Sequence, residues 1–340
     1  MKFLVVGLGS MGKRRIRCLK ALGHPVMNIA GFDFRDDRRQ DAIHLYEINT
    51  FADFSEALRQ FNPDALIISV PPDVHHEYMK AAVQARKPFF VEASVVDTDM
   101  ESIIADAHAA NIIAAPSATL LFHPAIKEIA GIVQAQKLGK VSNILLHSGQ
   151  YLPDWHTYEA VSDYYVSNPV TGGGREIVPF ELSWFVGVFG FPQRICGNFR
   201  KTIEICGAEC IDDTYNFLMD YGTFLASISV DVVSRHATRR LLINGSEKQL
   251  IWDWDEQCIR IYSGEGSDCE TIQYDKGIAA NGYNSNIGEN MYIDELKAFI
   301  DAVSKSKPFV STLEHDHKVL KLLYAIEQSD KSGRYVEVAP

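Results

Sequence analysis

Three glycines carry the first recognisable chemistry of the chain. Gly7, Gly9 and Gly12 stand in the run Gly7-Leu8-Gly9-Ser10-Met11-Gly12, directly after the apolar residues Phe3-Leu4-Val5-Val6. Such spacing serves a diphosphate. The first glycine permits a tight turn, the second lets a pyrophosphate approach the backbone, and the third lets a helix pack close to a strand. The amides at Ser10 and Met11, where the next helix starts, would face that anion. Asp33 lies 21 residues past Gly12, where a second strand should present an acid to an adenosine ribose. A carboxylate there accepts hydrogen bonds from ribose hydroxyls and repels a 2′-phosphate, which favours NAD over NADP. Arg35, Arg38 and Arg39 follow, either to neutralise a phosphate or as a solvated face. The alternative for the whole motif is a glycine loop that serves only as a turn.

Periodicity indicates the elements that hold these residues. Residues 3–6 read as a strand buried on both faces of a parallel sheet, and Ile16, Leu19 and Leu22 recur at helical spacing after the glycines. Residues 26–32 read as the second strand. Residues 64–70 read as another, stopped by Pro71-Pro72 because proline supplies no amide to a ladder. Residues 88–91 are a further short strand with Glu92 at its end. Ligands of open parallel sheets bind outside the carboxyl ends of the strands. That rule selects Ser69, Pro71, His75 and the stretch Glu92 to Ser94 for the cofactor edge. His75 and His76 are equally well read as the entry to the helix over 78–85.

Beyond residue 140 the pattern changes to successive strands: 140–151, a hairpin over 216–230 turning at Asp220 to Gly222, and a pair at 239–245 and 248–254. Residues 151–165 gather aromatics around His156, Tyr164 and Tyr165, a mixture suited to a sugar-like ligand or to a packed loop. Residues 169–181 combine Gly172-Gly173-Gly174 with Arg175, Glu176 and Glu181. The glycines would let a ligand approach the backbone, Pro179 is read at a helix start, and Arg175 meets either a ligand or a structural carboxylate. A Gly- and Asn-rich loop over 278–290 precedes helices at 291–300 and 313–328, the last with Thr312 as its cap. The fold class expected is two-domain α/β, with a Rossmann domain over 1–120 and a substrate-binding and oligomerisation domain over 121–340.

Composition narrows the partners. The 340 residues are 46% hydrophobic, enough for two cores. Lys plus Arg number 33 against 44 Asp plus Glu, a net charge of −11, which has the wrong sign for a nucleic-acid partner. Glycines interrupt the first apolar run before a signal-peptide core develops, and no stretch has the length to cross a bilayer. A cytoplasmic protein with no membrane partner is the expectation. Cys18, Cys196, Cys206, Cys210, Cys258 and Cys269 include no CxxC pair, so reduced thiols and no metal site are expected, although Cys206 and Cys210 have helical spacing.

In the ordered set Val5-Val6-Gly7-Leu8-Gly9-Ser10-Met11-Gly12, Ile68-Ser69-Val70-Pro71-Pro72-Asp73-Val74-His75, Lys87-Pro88-Phe89-Phe90-Val91-Glu92, Phe122-His123-Pro124, Leu138-Gly139-Lys140-Val141 and Gly172-Gly173-Gly174, the chain resembles the glucose-fructose oxidoreductase, inositol dehydrogenase and rhizopine-catabolism protein family. The resemblance implies a Rossmann domain followed by an α/β domain with a large, mainly antiparallel open sheet, late helices packing back toward the first domain, and a bound NAD or NADP. It also implies a sugar, polyol or related small substrate, and homodimers or homotetramers formed through the exposed sheet face. The family's Glu-Lys-Pro is here Glu92-Ala93-Ser94, and Phe180 stands about where its histidine belongs. Ala93 has no titratable group with which to move a proton.

The resulting expectation is an NAD(H)-dependent oxidoreductase acting by hydride transfer on a sugar, sugar derivative or polyol. A separate group must manage the hydroxyl proton. Glu176 is expected as acid or base, Tyr164 as a donor and Glu92 as a further candidate, with Arg175, His156, Tyr165 and Glu181 binding substrate. A carboxylate in that role needs its pKa raised by burial. Two alternatives stay open: a redox-neutral sugar-modifying enzyme with tightly bound NAD, and a non-catalytic dinucleotide-dependent sensor or scaffold.

Overall fold

The computed structural model describes residues 1–156, 159–264, 269–280, 284–305 and 307–338. Parts of the aromatic segment (157 and 158) and of the Gly- and Asn-rich loop (281–283) thus lie outside the described residues. The chain divides into two compact units, Met1–Thr119 with Met291–Lys318, and Leu120–Asn290 with Val319–Pro340.

The first unit alternates strand and helix: β1 (Phe3–Val6), α1 (Ser10–Ala21), β2 (Ile29–Phe32), α2 (Asp36–Tyr46), β3 (Asn49–Phe51), α3 (Phe54–Phe61), β4 (Ala65–Ile68), α4 (His75–Gln84), β5 (Phe89–Val91), α5 (Met100–Ala110) and β6 (Ala114–Pro116). The six strands lie in the order β3-β2-β1-β4-β5-β6, and every pair is parallel. The residues of β1, β4 and β5 are completely buried, which explains their unbroken apolar runs, since neither face meets water. The order reverses between β1 and β4, the switch point at which such sheets bind ligands. The expected second strand is shorter than its apolar run. Val26–Asn28 forms a single 3-10 turn with Met27 exposed, and pairing with β1 starts only at Ile29.

The second unit contains α6 (Pro124–Gln134), β7 (Val141–Tyr151), α7 (Gly174–Phe189), β8 (Arg194–Arg200), β9 (Thr214–Asp220), β10 (Leu225–Asp231), β11 (Val233–Gly245), β12 (Gln249–Asp253), β13 (Cys258–Tyr262) and β14 (Cys269–Gln273). Helix α8 (Asn290–Lys305) and the start of α9 (Leu313–Ser332) are counted with the first unit, and the rest of α9 and β15 (Val336–Glu337) with the second. The nine strands run β14-β13-β12-β11-β7-β10-β9-β8-β15. All neighbours are antiparallel except β7 and β10. Side chains alternate as a sheet covered on one face requires: Tyr215, Phe217 and Met219 of β9 are buried, whereas Asn216 is exposed. Helix α7 packs on β9 and β10. At the start of α9 the Thr312 hydroxyl accepts the amide of His315 at 3.2 Å, the expected cap.

One expectation for residues 169–181 is corrected here. Helix α7 starts at Gly174, so Pro179 lies inside it. The reason is local: Gly173 turns the chain at φ +68 and the Gly174 amide donates to the Asp212 carbonyl at 2.9 Å, so the helix starts before the proline. Pro179 forfeits the amide that would have reached the carbonyl four residues back. The glycines also answer to the protein's own backbone. A Cβ on Gly172 would stand 2.0 Å from the Val166 carbonyl oxygen, and one on Gly173 2.7 Å from that of Asp212.

No helix among the described residues is long and apolar enough to cross a membrane. The six cysteines are free thiols. Cys206 and Cys210 lie in turns, not on a helix.

Candidate active site

The dinucleotide side of the site is built at the switch point. Gly7 has φ +92, and a Cβ on Gly12 would stand 1.9 Å from the Gly7 carbonyl oxygen, so turn and close packing both demand glycine. Gly9 is different, because a Cβ there meets only the flexible end of Arg38, at 3.4 Å. Its smallness serves something other than the protein's own packing. Ser10 and Met11 form the first turn of α1, which has neither a side-chain cap nor an acidic residue. That leaves the positive end of the helix dipole available to an anion.

Asp33 follows β2 and is 3% exposed. One carboxylate oxygen accepts the Leu8 amide at 2.9 Å and the other the Arg35 amide at 2.9 Å, which fixes the acid beside the glycine loop. Each oxygen keeps a second lone pair for a hydroxyl donor. Pro71 precedes the single turn Pro72–Val74. His75 is buried, with Nε2 2.9 Å from the Val70 carbonyl, and burial pushes its pKa down to about 4. The ring is therefore neutral. With Nε2 donating to Val70, Nδ1 is an acceptor that is buried and unpartnered among the described residues. Uncapped helix, small Gly9, ribose-side acid and orphaned buried acceptor together fit a dinucleotide.

Glu92 is held rather than loose. Arg15 donates to both its oxygens, at 2.7 and 2.8 Å, and Ser69 donates to one at 3.0 Å. Arg15 also reaches Glu295 at 2.9 Å, and that carboxylate accepts the Ala118 amide and the Ser117 and Thr119 hydroxyls. Burial works against the Arg15 charge, but the two carboxylates overcome it and hold the guanidinium protonated. The geometry makes Glu92 a clamp between α1 and the turn after β5, although 13% of its side chain remains exposed.

The second unit brings four of the selected residues together. Tyr165 donates its hydroxyl to Glu176 at 2.5 Å. Tyr164 stacks on His156 with ring centroids 4.6 Å apart and stands edge-on to Tyr165 at 6.2 Å. His156 contacts Glu159 at 2.9 Å. Glu176 lies in the first turn of α7, and its Oε2 is buried without a hydrogen-bond partner among the described residues. Burial pushes its pKa up to about 7, against the lowering effect of the Tyr165 hydroxyl. Such a carboxyl exchanges its proton near neutral pH.

Arg175 and Glu181 stand elsewhere. Arg175 pairs with Glu327 at 2.7 Å and donates to the Val170 carbonyl, the structural pairing that had been left open. Glu181 is fully buried and accepts Ser148 at 2.8 Å, the Trp184 indole at 2.7 Å and Arg239. This corrects its expected contact with substrate, since the carboxylate has no surface to offer. Arg15, Glu295, Arg239 and Glu327 went unrecognised in the sequence. They lie 77 to 280 residues from their ion-pair partners in the first unit and 58 to 152 in the second, so no local pattern marks them. Among the described residues no cluster of three or more His, Cys, Asp or Glu could hold a metal ion.

A parallel sheet with a glycine loop at its switch point, joined in one chain to a nine-stranded sheet and a helix α7 that carries a carboxyl raised toward neutral pH, defines a two-domain protein of dinucleotide-binding type. Residues 1–114 match the model of the glucose-fructose oxidoreductase, inositol dehydrogenase and MocA family, described as an oxidoreductase family with an NAD-binding Rossmann fold. The chain is 22% identical to myo-inositol 2-dehydrogenase of Thermotoga maritima over 99% of its own length and 98% of that protein's. Among solved structures it superposes on an oxidoreductase domain protein from Kribbella flavida with a TM-score of 0.85 at 17% identity, covering 100% of this chain and 99% of that one. It superposes on levoglucosan dehydrogenase in complex with NADH and levoglucosan with a TM-score of 0.84 at 14% identity, covering 100% of each chain.

Proposed function

We propose that this chain is an NAD(H)-dependent oxidoreductase that moves hydride between the cofactor and a sugar, sugar derivative or polyol, with Glu176 as proton acceptor and donor. The observation that carries the reading is the enclosed Glu176 carboxyl, raised to about 7 and hydrogen-bonded, among the described residues, on one oxygen. Bound NAD+ supplies the hydride acceptor. The α1 terminus and Gly9 receive its diphosphate and Asp33 its ribose hydroxyls. NAD is preferred to NADP because Asp33 repels a 2′-phosphate, while Arg35 and Arg39 are engaged with Asp37 and Asp36. In the oxidation direction the Glu176 carboxylate takes the proton from the substrate hydroxyl as that carbon becomes a carbonyl, and in reduction the protonated acid returns it. Tyr165 orients the carboxyl, and Tyr164 with His156 offers ring faces to a sugar. The names of the inositol and levoglucosan dehydrogenases support the substrate class.

The same reading places the protein in the cytoplasm, where free thiols persist, as a homodimer or homotetramer joined through the outer sheet face. There Leu145 and Leu225 are 45% and 44% exposed, and light scattering after Leu145→Glu tests the assembly. The function is tested by incubating the protein with NAD+ and a sugar and polyol panel while following NADH and products together. Net NADH with an oxidised product is the expected result. Product without net NADH identifies redox-neutral turnover, and bound NAD with no product from any substrate contradicts catalysis.

A further inference from the structure

One guanidinium gathers the carboxyl ends of three neighbouring strands of the first unit. Arg15 of α1 makes two bonds to Glu92, directly after β5, and Ser69, directly after β4, donates to the same carboxylate. Glu295 of α8 links Arg15 to Ser117, Ala118 and Thr119, which follow β6. The guanidinium also lies over the Phe90 ring at 4.4 Å and the Tyr292 ring at 5.4 Å. Arg15 and Glu295 have fully buried side chains. Buried charges are a poor source of stability, because desolvation consumes much of what their attraction returns and apolar side chains of similar volume do as well. What the arrangement supplies instead is fixed geometry.

Of the three charged groups only Glu92 reaches the surface, with 13% of its side chain exposed. A carboxylate has about four acceptor sites. Nε of Arg15 and the Ser69 hydroxyl occupy Oε1, and Nη2 of Arg15 takes one site on Oε2, so among the described residues Oε2 keeps an acceptor for one more donor. Asp33 draws the adenosine end of a dinucleotide to the β1–β2 half of the sheet, which leaves the β4–β5–β6 half, where Glu92 stands, for the nicotinamide end. A ribose hydroxyl is a donor of the kind required. We infer that Arg15 and Glu295 are positioning residues for the cofactor, holding Glu92 so that it accepts a hydroxyl of the nicotinamide-side ribose, an inference that rests on the cofactor reading above.

Calorimetric titration of the full chain with NAD+, with ADP-ribose, which keeps the second ribose but lacks the nicotinamide, and with ADP, which lacks both, tests this. Arg15→Lys keeps the charge and loses the planar fork that reaches both carboxylates. It is expected to weaken NAD+ and ADP-ribose about tenfold each, as for a hydrogen bond to a charged group, and to leave ADP unchanged. Glu92→Gln is expected to give the same pattern. Because Arg15 acts through Glu92, adding Arg15→Lys to Glu92→Gln should cost nothing further. An equal loss for ADP, no loss for NAD+, or losses that add in the double variant overturn the assignment while leaving the cofactor reading intact. Wild-type protein that binds none of the three overturns both. Should Arg15→Lys fail to fold, Glu295→Gln makes the same comparisons, with a smaller loss of NAD+ and ADP-ribose expected.

Discussion

In the proposed mechanism Glu176 takes the part that Ala93 cannot, because burial moves its acidity up to about 7. Its protonation sets the direction of the pH dependence. Oxidation needs the carboxylate, so its rate should rise with pH through about 7, and reduction needs the acid, so its rate should fall over the same interval. Glu176→Gln is expected to lower turnover about 10²- to 10⁴-fold, the range for loss of a positioned acid or base, with NAD+ affinity by titration unchanged. Tyr165→Phe removes the hydrogen bond that opposes burial. The midpoint of the rate profile should therefore move above that of the wild type, and a midpoint that stays or falls would contradict the pairing. That Glu176 carries charge beside the triple glycine is legible in the sequence. Its burial is not, because Tyr165, which hydrogen-bonds it, comes from a separate segment.

At the scale of elements, strands with no wet face were the most legible parts. The apolar runs at β1 and β5 coincide with the observed strands to within a residue, because a doubly buried strand leaves no polar position to blur the pattern. The start of α7 was hidden, since a proline reads as a helix start while the true start depends on a backbone bond to Asp212. The same helix carries Glu181, whose buried pairing with Arg239 ties it to β11. Removing one partner leaves an uncompensated charge. Arg239→Met is expected to cost about 3–5 kcal/mol in urea unfolding, and the double change with Glu181→Leu to cost less than the single one. Equal costs would show that the two do not act as a pair.

For the whole molecule, the raised acids predict how stability varies with pH. Glu176 at about 7 and Asp316 at about 6 bind their protons more tightly in the folded chain than in the unfolded one. Their contributions are complete below the unfolded values near 4 and are lost as pH rises through 6 and 7. From these two groups the unfolding free energy should fall between about pH 4 and 7, by at most roughly 3 kcal/mol apiece. Chemical denaturation across that range should show Glu176→Gln and Asp316→Asn each flattening the slope. The most direct test of the account is the pH profile of hydride transfer, followed by NADH absorbance with a substrate from the sugar and polyol panel. With Glu176 as the proton acceptor, the wild type should show a midpoint near 7 that disappears in Glu176→Gln together with most of the rate. A Glu176→Gln protein that keeps both the rate and the midpoint would contradict it.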